Sequence, residues 1–291
     1  MNLVVTVLVR NDLDVIAAWI EYYRAQGASA IIVTDNGSED GTVAVLEQYA
    51  AAGAIRLLHE PGDDYRQAEW VTRMARLAAA EYRADWVINA DSDEFWRVSR
   101  AGTTLAEALE ALPATTVAVR AERHDLRGRG GASTGWFRRL RWLDRRTVSE
   151  RGTPLASKLA HRATDAVQVL MGNHGIEGLS GDIDGSGLLE IAHLPSRSWL
   201  QYERKIRLGG AAIARNPDHG PETAWHWRAE YERLRSGELE ARYRGFTPTV
   251  GMLARGLLSG RFERERRLHR ELRALRATAL RPELLEASLR A

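Results

Sequence analysis

The chain has no cysteine, only two lysines and no long apolar run. Without cysteine there can be no disulfides and no thiolate metal sites, and the redox compartment stays open. The two lysines, Lys158 and Lys205, stand among 41 basic residues, so the base is almost entirely arginine. Arginine forks pair with phosphate and carboxylate, but they also lace helix surfaces. A formal net charge of only +2 argues against bulk nucleic-acid binding, and no nucleic-acid partner is expected. The apolar stretch Met1 to Val9 is too short to span a membrane and lacks a basic leader, so a cytoplasmic protein is expected. Two nucleotide signatures are missing as well. No Gly-x-Gly-x-x-Gly follows the first strand candidate, and no phosphate-loop Gly-Lys-Ser/Thr occurs anywhere. Plain NAD enzymes and ATPases therefore fall down the list of functions.

What is present is enough for a sizeable core: 291 residues, 44% of them hydrophobic, fit one large domain or a domain with an appendage. The most informative stretch is Trp86-Val87-Ile88-Asn89-Ala90-Asp91-Ser92-Asp93-Glu94-Phe95-Trp96. It opens as a buried strand, Trp86 to Ala90, and ends in three closely spaced carboxylates. Acids at a strand's exit sit at the sheet edge where open α/β folds bind ligands. Carboxylate oxygens suit a hard divalent ion, and such an ion commonly bridges to phosphate. A solvated acidic turn is the competing reading of a bare Asp-x-Asp.

Earlier in the chain, strands and helices alternate. Leu3 to Val9 reads as a strand that reaches Arg10-Asn11-Asp12, with Asp12 placed to cap the next helix. Ala30 to Thr34 is a second strand, running into the glycine- and acid-rich turn Asp35-Asn36-Gly37-Ser38-Glu39-Asp40-Gly41-Thr42. A helix from Thr42 to Ala52, a strand Ile55 to Leu58 and a helix Gln67 to Tyr82 follow. This alternation implies a largely parallel sheet with right-handed crossovers. In such a sheet Asp35 and Asp91 lie on the same edge, so one site can hold both.

Beyond the acids, a helix over Thr103 to Leu112 and a strand over Thr115 to Val119 are expected. Glu122 to Gly135 reads as a polar, glycine-rich loop. Trp136, Phe137 and Trp142 suit either core or a sugar ring, with core favoured. Lys158 to Ala163 and Val167 to Met171 read as paired strands, and Leu188 to Ala192 as a further strand. His174 and His193, both at strand ends, are candidate cation ligands. After Arg197 only helical periodicity survives, in segments Arg197 to Ala214, Glu222 to Leu234, Arg261 to Ala277 and Glu283 to Leu289. The basic segment from Arg261 could lie on an anionic membrane, but its interspersed Glu263, Glu265 and Glu271 favour an ordinary salt-bridged helix.

Taken together, these residues resemble a glycosyltransferase of the GT-A type, family 2 and its relatives that include family 92. The loop Asp35 to Thr42 is similar to that group's nucleotide-sugar loop. Asp91-Ser92-Asp93-Glu94-Phe95 resembles its metal motif in the Asp-x-Asp-Glu-Phe form. His193-Leu194-Pro195-Ser196-Arg197-Ser198, with Gln201 and Lys205, resembles a downstream segment of the same branch. The resemblance implies a GT-A, Rossmann-like α/β fold over residues 1–195, a mostly parallel sheet flanked by helices, with a helical C-terminal appendage over 196–291. It also implies a nucleotide-diphosphate sugar donor and a Mn²⁺ or Mg²⁺ ion. Donor contacts are expected from Val9, Asp35, Asn36, Gly37, Arg66, Asp91, Ser92 and Lys205. The metal is expected on Asp91 and Asp93 with His174, or after it His193. Inverting transfer also needs a proton acceptor, for which Glu122 and Asp182 are candidates, with Asp184 beside it. A sugar-nucleotide nucleotidyltransferase and a non-catalytic carbohydrate-binding protein are the alternatives. The acceptor, self-association and peripheral membrane contact stay open.

Overall fold

The structure, a computed structural model, describes residues 1–62, 66–129, 135–215 and 225–291. Five strands and four helices make up the N-terminal part: β1 (Leu3–Val9), α1 (Ile16–Ala25), β2 (Ala28–Asp35), α2 (Thr42–Ala51), β3 (Arg56–His59), α3 (Gln67–Tyr82), β4 (Trp86–Asn89), β5 (Glu94–Val98) and α4 (Leu105–Glu110). Next come β6 (Thr116–Gly128), α5 (Trp136–Arg139), β7 (Leu140–Asp144), β8 (Lys158–Arg162), β9 (Gln168–Val169), β10 (Ile176–Glu177) and β11 (Asp182–His193). The chain ends with α6 (Trp199–Arg215), α7 (Trp225–Ser236), α8 (Leu239–Gly245), α9 (Val250–Leu258), β12 (Phe262–Arg264), α10 (Arg267–Ala274) and α11 (Pro282–Arg290).

One mixed sheet runs in the order β12-β7-β6-β8-β4-β1-β2-β3, with β11 pairing both β6 and β5. The expected parallel crossovers are concentrated in its first part: β2, β3 and β4 join parallel to β1 or β2. The reason lies in β1. Its apolar residues face both ways, Val5, Val7 and Val9 toward α1 and α2, and Val4 toward Val71, Met74 and Ala78 of α3. A strand buried on both faces needs helices on both sides, and βαβ crossovers supply them. Gly27, with φ +87°, ends the α1 segment where a side chain would be strained. Asp12 supports α1 through its backbone carbonyl, which accepts from Val15 and Ile16, and its side chain is engaged elsewhere.

Beyond β4 the sheet turns mostly antiparallel, and here several expectations need correcting. The stretch from Glu122 is strand as far as Gly128, because β6 extends over thirteen residues between β8, β7 and β11. Its polar residues alternate between faces as a strand requires. β8 and β9 are not partners: β8 pairs β4 and β6, and β9 pairs β10. Residues 130–134 of the glycine-rich stretch lie outside the described residues, as do 222–224 of the expected helix Glu222 to Leu234. The region past Arg197 does hold a strand, since β12 pairs β7, so the basic segment starts as strand and becomes helix at Arg267. Leu268, Leu272, Leu285 and Leu289 of α10 and α11 enter the main core, whereas Tyr202, Ile206 and Leu239 of α6 and α8 form a small core of their own. Trp136 is 1% exposed, which settles it as core.

Candidate active site

The C-terminal ends of β1, β2 and β4 meet one side of α6, from Gln201 to Ala212, and the start of α7 around a cleft of about 550 Å³. Its walls hold Val9 to Asp12, Asn36, Asp91, Ser92, Asp93, Arg123, His174, Lys205 and Trp227, among others. Parallel strands put their ends on one edge, so residues more than 50 apart in sequence become neighbours.

The two aspartates of the motif live in different surroundings. Asp91 accepts from Lys158 Nζ through Oδ2 at 2.6 Å and from Asn173 Nδ2 through Oδ1 at 3.1 Å. Lys158 is fully buried and also meets Glu94 at 2.9 Å. Burial alone would discharge this lysine, but Asp91 and Glu94 outweigh burial and keep its pKa raised. Asn173 adopts φ 61°, which an asparagine tolerates, and so brings its amide to Asp91 and to the Asn89 carbonyl.

Asp93 is 3% exposed and contacts Lys205 Nζ through Oδ2 at 2.6 Å. Its Oδ1 faces His193 Nε2 at 3.7 Å, too long for a hydrogen bond. The other ring nitrogen of His193 lies 2.7 Å from Asp125 Oδ1, and Asp125 is paired with Arg127. Burial opposes the Asp93 charge, but Lys205 and His193 more than offset it and hold the carboxyl well below its usual range. Burial likewise opposes charge on His193, and Asp93 and Asp125 overcome it and raise its pKa.

At the other end of the cleft, Asp35 is 3% exposed and its Oδ2 accepts from Ser38 N at 3.1 Å. Its Oδ1 is buried with no hydrogen-bond partner among the described residues. Asn36 Nδ2 donates to the carbonyls of Glu60 and Gly62, tying down the next loop. Gly37 sits at φ 66°, where glycine is unstrained. Arg197, 1% exposed, clamps Asp12 at 2.6 Å and Asp14 at 2.8 Å, and so fixes the exit of β1 against the start of α6.

The structure brings Val9, Asn36, Asp91, Ser92, Asp93, His174 and Lys205 to the cleft, with Asp35 and His193 just behind its wall. Gly37 belongs to the same turn. Arg66 is directed along α3, 3.6 Å from Glu69, and is not among the cleft-lining residues. His174 holds the Ser157 carbonyl at 3.0 Å, whereas His193 is the histidine that faces Asp93. Two expected residues stand apart. Glu122 is 72% exposed and points away from the face that carries Arg123 and Asp125, as strand alternation dictates. Asp182 opens β11 opposite Thr116, about 30 Å along the strand from the His193 end. Neither lines the cleft. Asp125, Lys158, Asn173 and Arg197 were missed as a set. Asp125 was hidden in a stretch read as loop. Lys158 left a usable signal, since both lysines of an arginine-rich chain end on the two motif aspartates.

The residues fit a divalent cation in one specific way. Asp93 Oδ1 and His193 Nε2 face one another, and the far nitrogen of His193 is held by a carboxylate, the usual support of a metal-bound imidazole. No group of three His, Asp or Glu side chains forms a cation cage among the described residues. A cation here would take its remaining ligands from diphosphate and water, as Mg²⁺ commonly does.

A search of curated proteins matches none of them. Among solved structures, S. aureus TarS 1-349 in complex with UDP-GlcNAc aligns over 86% of this chain and 75% of its own, at 13% identity and a TM-score of 0.41. S. aureus TarS aligns over 82% of this chain but only 43% of its own, at 13% identity and 0.41. Glucosyl-3-phosphoglycerate synthase from Mycobacterium tuberculosis, in complex with Mn²⁺, UDP and glucosyl-3-phosphoglycerate, aligns over 46% of each chain at 22% identity and 0.29. The model of glycosyltransferase family 92 matches residues 5–172, more than half of the chain and the whole of the stretch from Asp35 through Asp93. The chain belongs to glycosyltransferase family 92.

Proposed function

We propose that this glycosyltransferase moves a sugar from a nucleotide-diphosphate donor to an acceptor hydroxyl, with Mn²⁺ or Mg²⁺ held by Asp93 and His193, and with inversion at the anomeric carbon. The observation that carries the reading is the pairing of Asp93 Oδ1 with His193 Nε2 across 3.7 Å, backed by Asp125. When bound, the divalent ion supplies charge neutralisation to the diphosphate leaving group. The chain's own residues do the rest. Asp35, with an unpartnered buried oxygen, suits a hydrogen bond from the donor's base or ribose. Asn36 and Gly37 keep that turn open, and Val9 and Ser92 border it. Lys205 can leave Asp93 for a phosphate, being 35% exposed and reached from the cleft. Lys158 cannot, so Asp91 acts by orienting Asn173 and the turn rather than as a second cation ligand.

For the proton acceptor, His174 is favoured over Glu122 and Asp182. It borders the cleft, and its Nδ1 contact to the Ser157 carbonyl makes Nδ1 the donor and leaves Nε2 with a lone pair. Desolvation and the Lys158 ammonium lower its pKa, which keeps it neutral and able to accept a proton at neutral pH.

The test is a panel of nucleotide sugars, UDP-sugars first, incubated with Mn²⁺ and candidate saccharide acceptors. Release of nucleoside diphosphate, lost in Asp93→Ala while the fold is retained, supports the proposal. Pyrophosphate as product would assign the nucleotidyltransferase alternative. Full activity of Asp93→Ala in EDTA would remove the cation from the account.

A further inference from the structure

The donor's contacts leave one wall of the cleft without a role: Arg123 of β6, His174, and the first residues of α7, Trp225, His226 and Trp227. Close packing builds this wall. Gly172 lies so near the His174 ring that an added Cβ would come within 2.7 Å of it, and only a glycine leaves the imidazole that room. Trp227 lies against Gly209 of α6 in the same way, 2.4 Å from an added Cβ, and Lys205 Nζ sits 5.8 Å from its ring centre. Arg151 holds Trp225 from 4.1 Å. His226 belongs to the same surroundings: desolvation first, then Arg123, Lys205 and His174, lower its pKa to about 4, so its imidazole is neutral at neutral pH.

The wall's hydrogen-bonding chemistry is one-sided. A guanidinium and an indole donate and never accept, so the side-chain acceptors here are the lone pairs of two neutral imidazoles. The acids that line the cleft among the described residues are Asp12, Asp91 and Asp93, and Arg197, Lys158 and Lys205 already hold them. Glu150, next to Arg151, is committed to Arg233 at 3.0 Å and Arg242 at 2.8 Å. Arg123 itself is loosely engaged. Its acid, Glu94, is 3.6 Å from Nη1, beyond hydrogen-bond reach, and is met more closely by Lys158 at 2.9 Å. Its Nε is buried with no hydrogen-bond partner among the described residues. A neutral sugar brings hydroxyls that donate as well as accept. A carboxylate or a phosphate brings acceptors alone, and a guanidinium fork matches either.

We propose that this wall is the acceptor subsite and that the acceptor is an acidic saccharide, its carboxylate or phosphate on Arg123, its ring on the indoles of α7 and one hydroxyl facing His174. The hydroxyl oxygen bonds to the anomeric carbon, its proton passes to His174 Nε2, and the nucleoside diphosphate leaves with the bonding electron pair. The inference rests on the donor reading given under the proposed function, and it adds the acceptor's chemical class.

The experiment is saturation-transfer NMR on the full chain loaded with UDP and Mn²⁺, titrated with glucuronate, glucose 6-phosphate, glucose and inorganic phosphate. Wild type is compared with Arg123→Gln and Trp225→Leu, with thermal midpoints to check folding and UDP affinity measured in each. Trp225 is a partly exposed residue at the start of a helix, so its variant reads the subsite even where Arg123→Gln loosens Glu94. The expected result is that glucuronate or glucose 6-phosphate binds at least about tenfold more tightly than glucose, the worth of a charge-assisted hydrogen bond. Which of the two does so assigns carboxylate or phosphate. Arg123→Gln removes that preference with UDP affinity kept, and Trp225→Leu weakens the acid and glucose alike. Glucose bound as tightly as both acids, inorganic phosphate bound as tightly as glucose 6-phosphate, or an Arg123→Gln variant that loses UDP and keeps the preference would overturn the proposal while the donor reading stands. Failure of UDP, GDP, ADP and TDP alike to bind wild type in Mn²⁺ would remove the donor reading and this inference with it.

Discussion

In the cleft, Asp91, Asp93, Glu94 and Asp125 each meet a base within the protein, whereas on the surface of β12 and α10 Arg264, Arg266, Arg270 and Arg273 pair with no acid among the described residues. The cleft contains a second contrast of the same kind. Lys158 is sealed beneath Asp91 and Glu94, while Lys205 reaches Asp93 from α6 and keeps 35% of its side chain exposed. The lesson concerns which charges can be exchanged. A buried ion pair is fixed by the cost of leaving its partner uncompensated. A half-open pair can hand its charge to a ligand, and an unpaired exposed base waits for one.

The largest effect expected from breaking this contrast is on the Lys158 side. Lys158→Met should leave the fully buried Glu94 with only Arg123, 3.6 Å away, and Asp91 with only the cleft's water, and cost about 3–5 kcal/mol of stability, read by urea unfolding. Lys205→Met should cost less, on the order of 1–3 kcal/mol in the same experiment, because the buried Asp93 keeps His193 beside it, and should also weaken nucleoside diphosphate binding. Equal stability losses in the two variants would erase the distinction.

Next in size is a buried group kept neutral behind the cleft. His161 accepts no solvent; it contacts Asn89 at 3.0 Å and the Arg162 carbonyl at 2.8 Å. Burial pushes its pKa down from 6.5 to about 4. The unfolded chain therefore binds the extra proton first, so stability is fully present above pH 6.5 and is lost as pH falls toward about 4. The loss from this one group is on the order of 3 kcal/mol. Denaturant midpoints of wild type and His161→Gln across that range check it: the variant should show the weaker pH dependence.

A smaller effect tests the support of His193. Asp125→Asn should lower Mn²⁺ affinity by roughly 10–100-fold without unfolding the protein, as measured by calorimetric titration in the presence of UDP. The smallest effect belongs to the surface: Arg264→Gln should change stability by no more than about 0.5 kcal/mol, because no partner is lost.

The parallel half of the fold and its strand-end acids were legible in the sequence because each rests on local pattern. β-branched runs such as Val4 to Val9 mark buried strands, and Asp35 and Asp91 follow such runs directly. The rest depended on long-range pairing that periodicity does not encode. β6 runs on through Glu122 to Gly128 because β7, β8 and β11 flank it, although its composition resembles a loop. Asp125 and His193 become neighbours only through that pairing. Likewise β12 is a strand because β7 offers it an edge, and Glu265 and Glu263 find partners in Arg97 of β5 and Arg145 after β7 that no local spacing reveals, whereas the i,i+4 pair of Arg267 and Glu271 is the one the helix spacing does announce.

The measurement that bears most directly on the whole account is calorimetric binding of UDP, with GDP, ADP and TDP as companions, in Mn²⁺ and in EDTA, to wild type and to Asp93→Ala. The account predicts that one nucleoside diphosphate binds wild type in Mn²⁺, and that binding is lost in EDTA and in the variant. Tight binding that survives both EDTA and the substitution would contradict it.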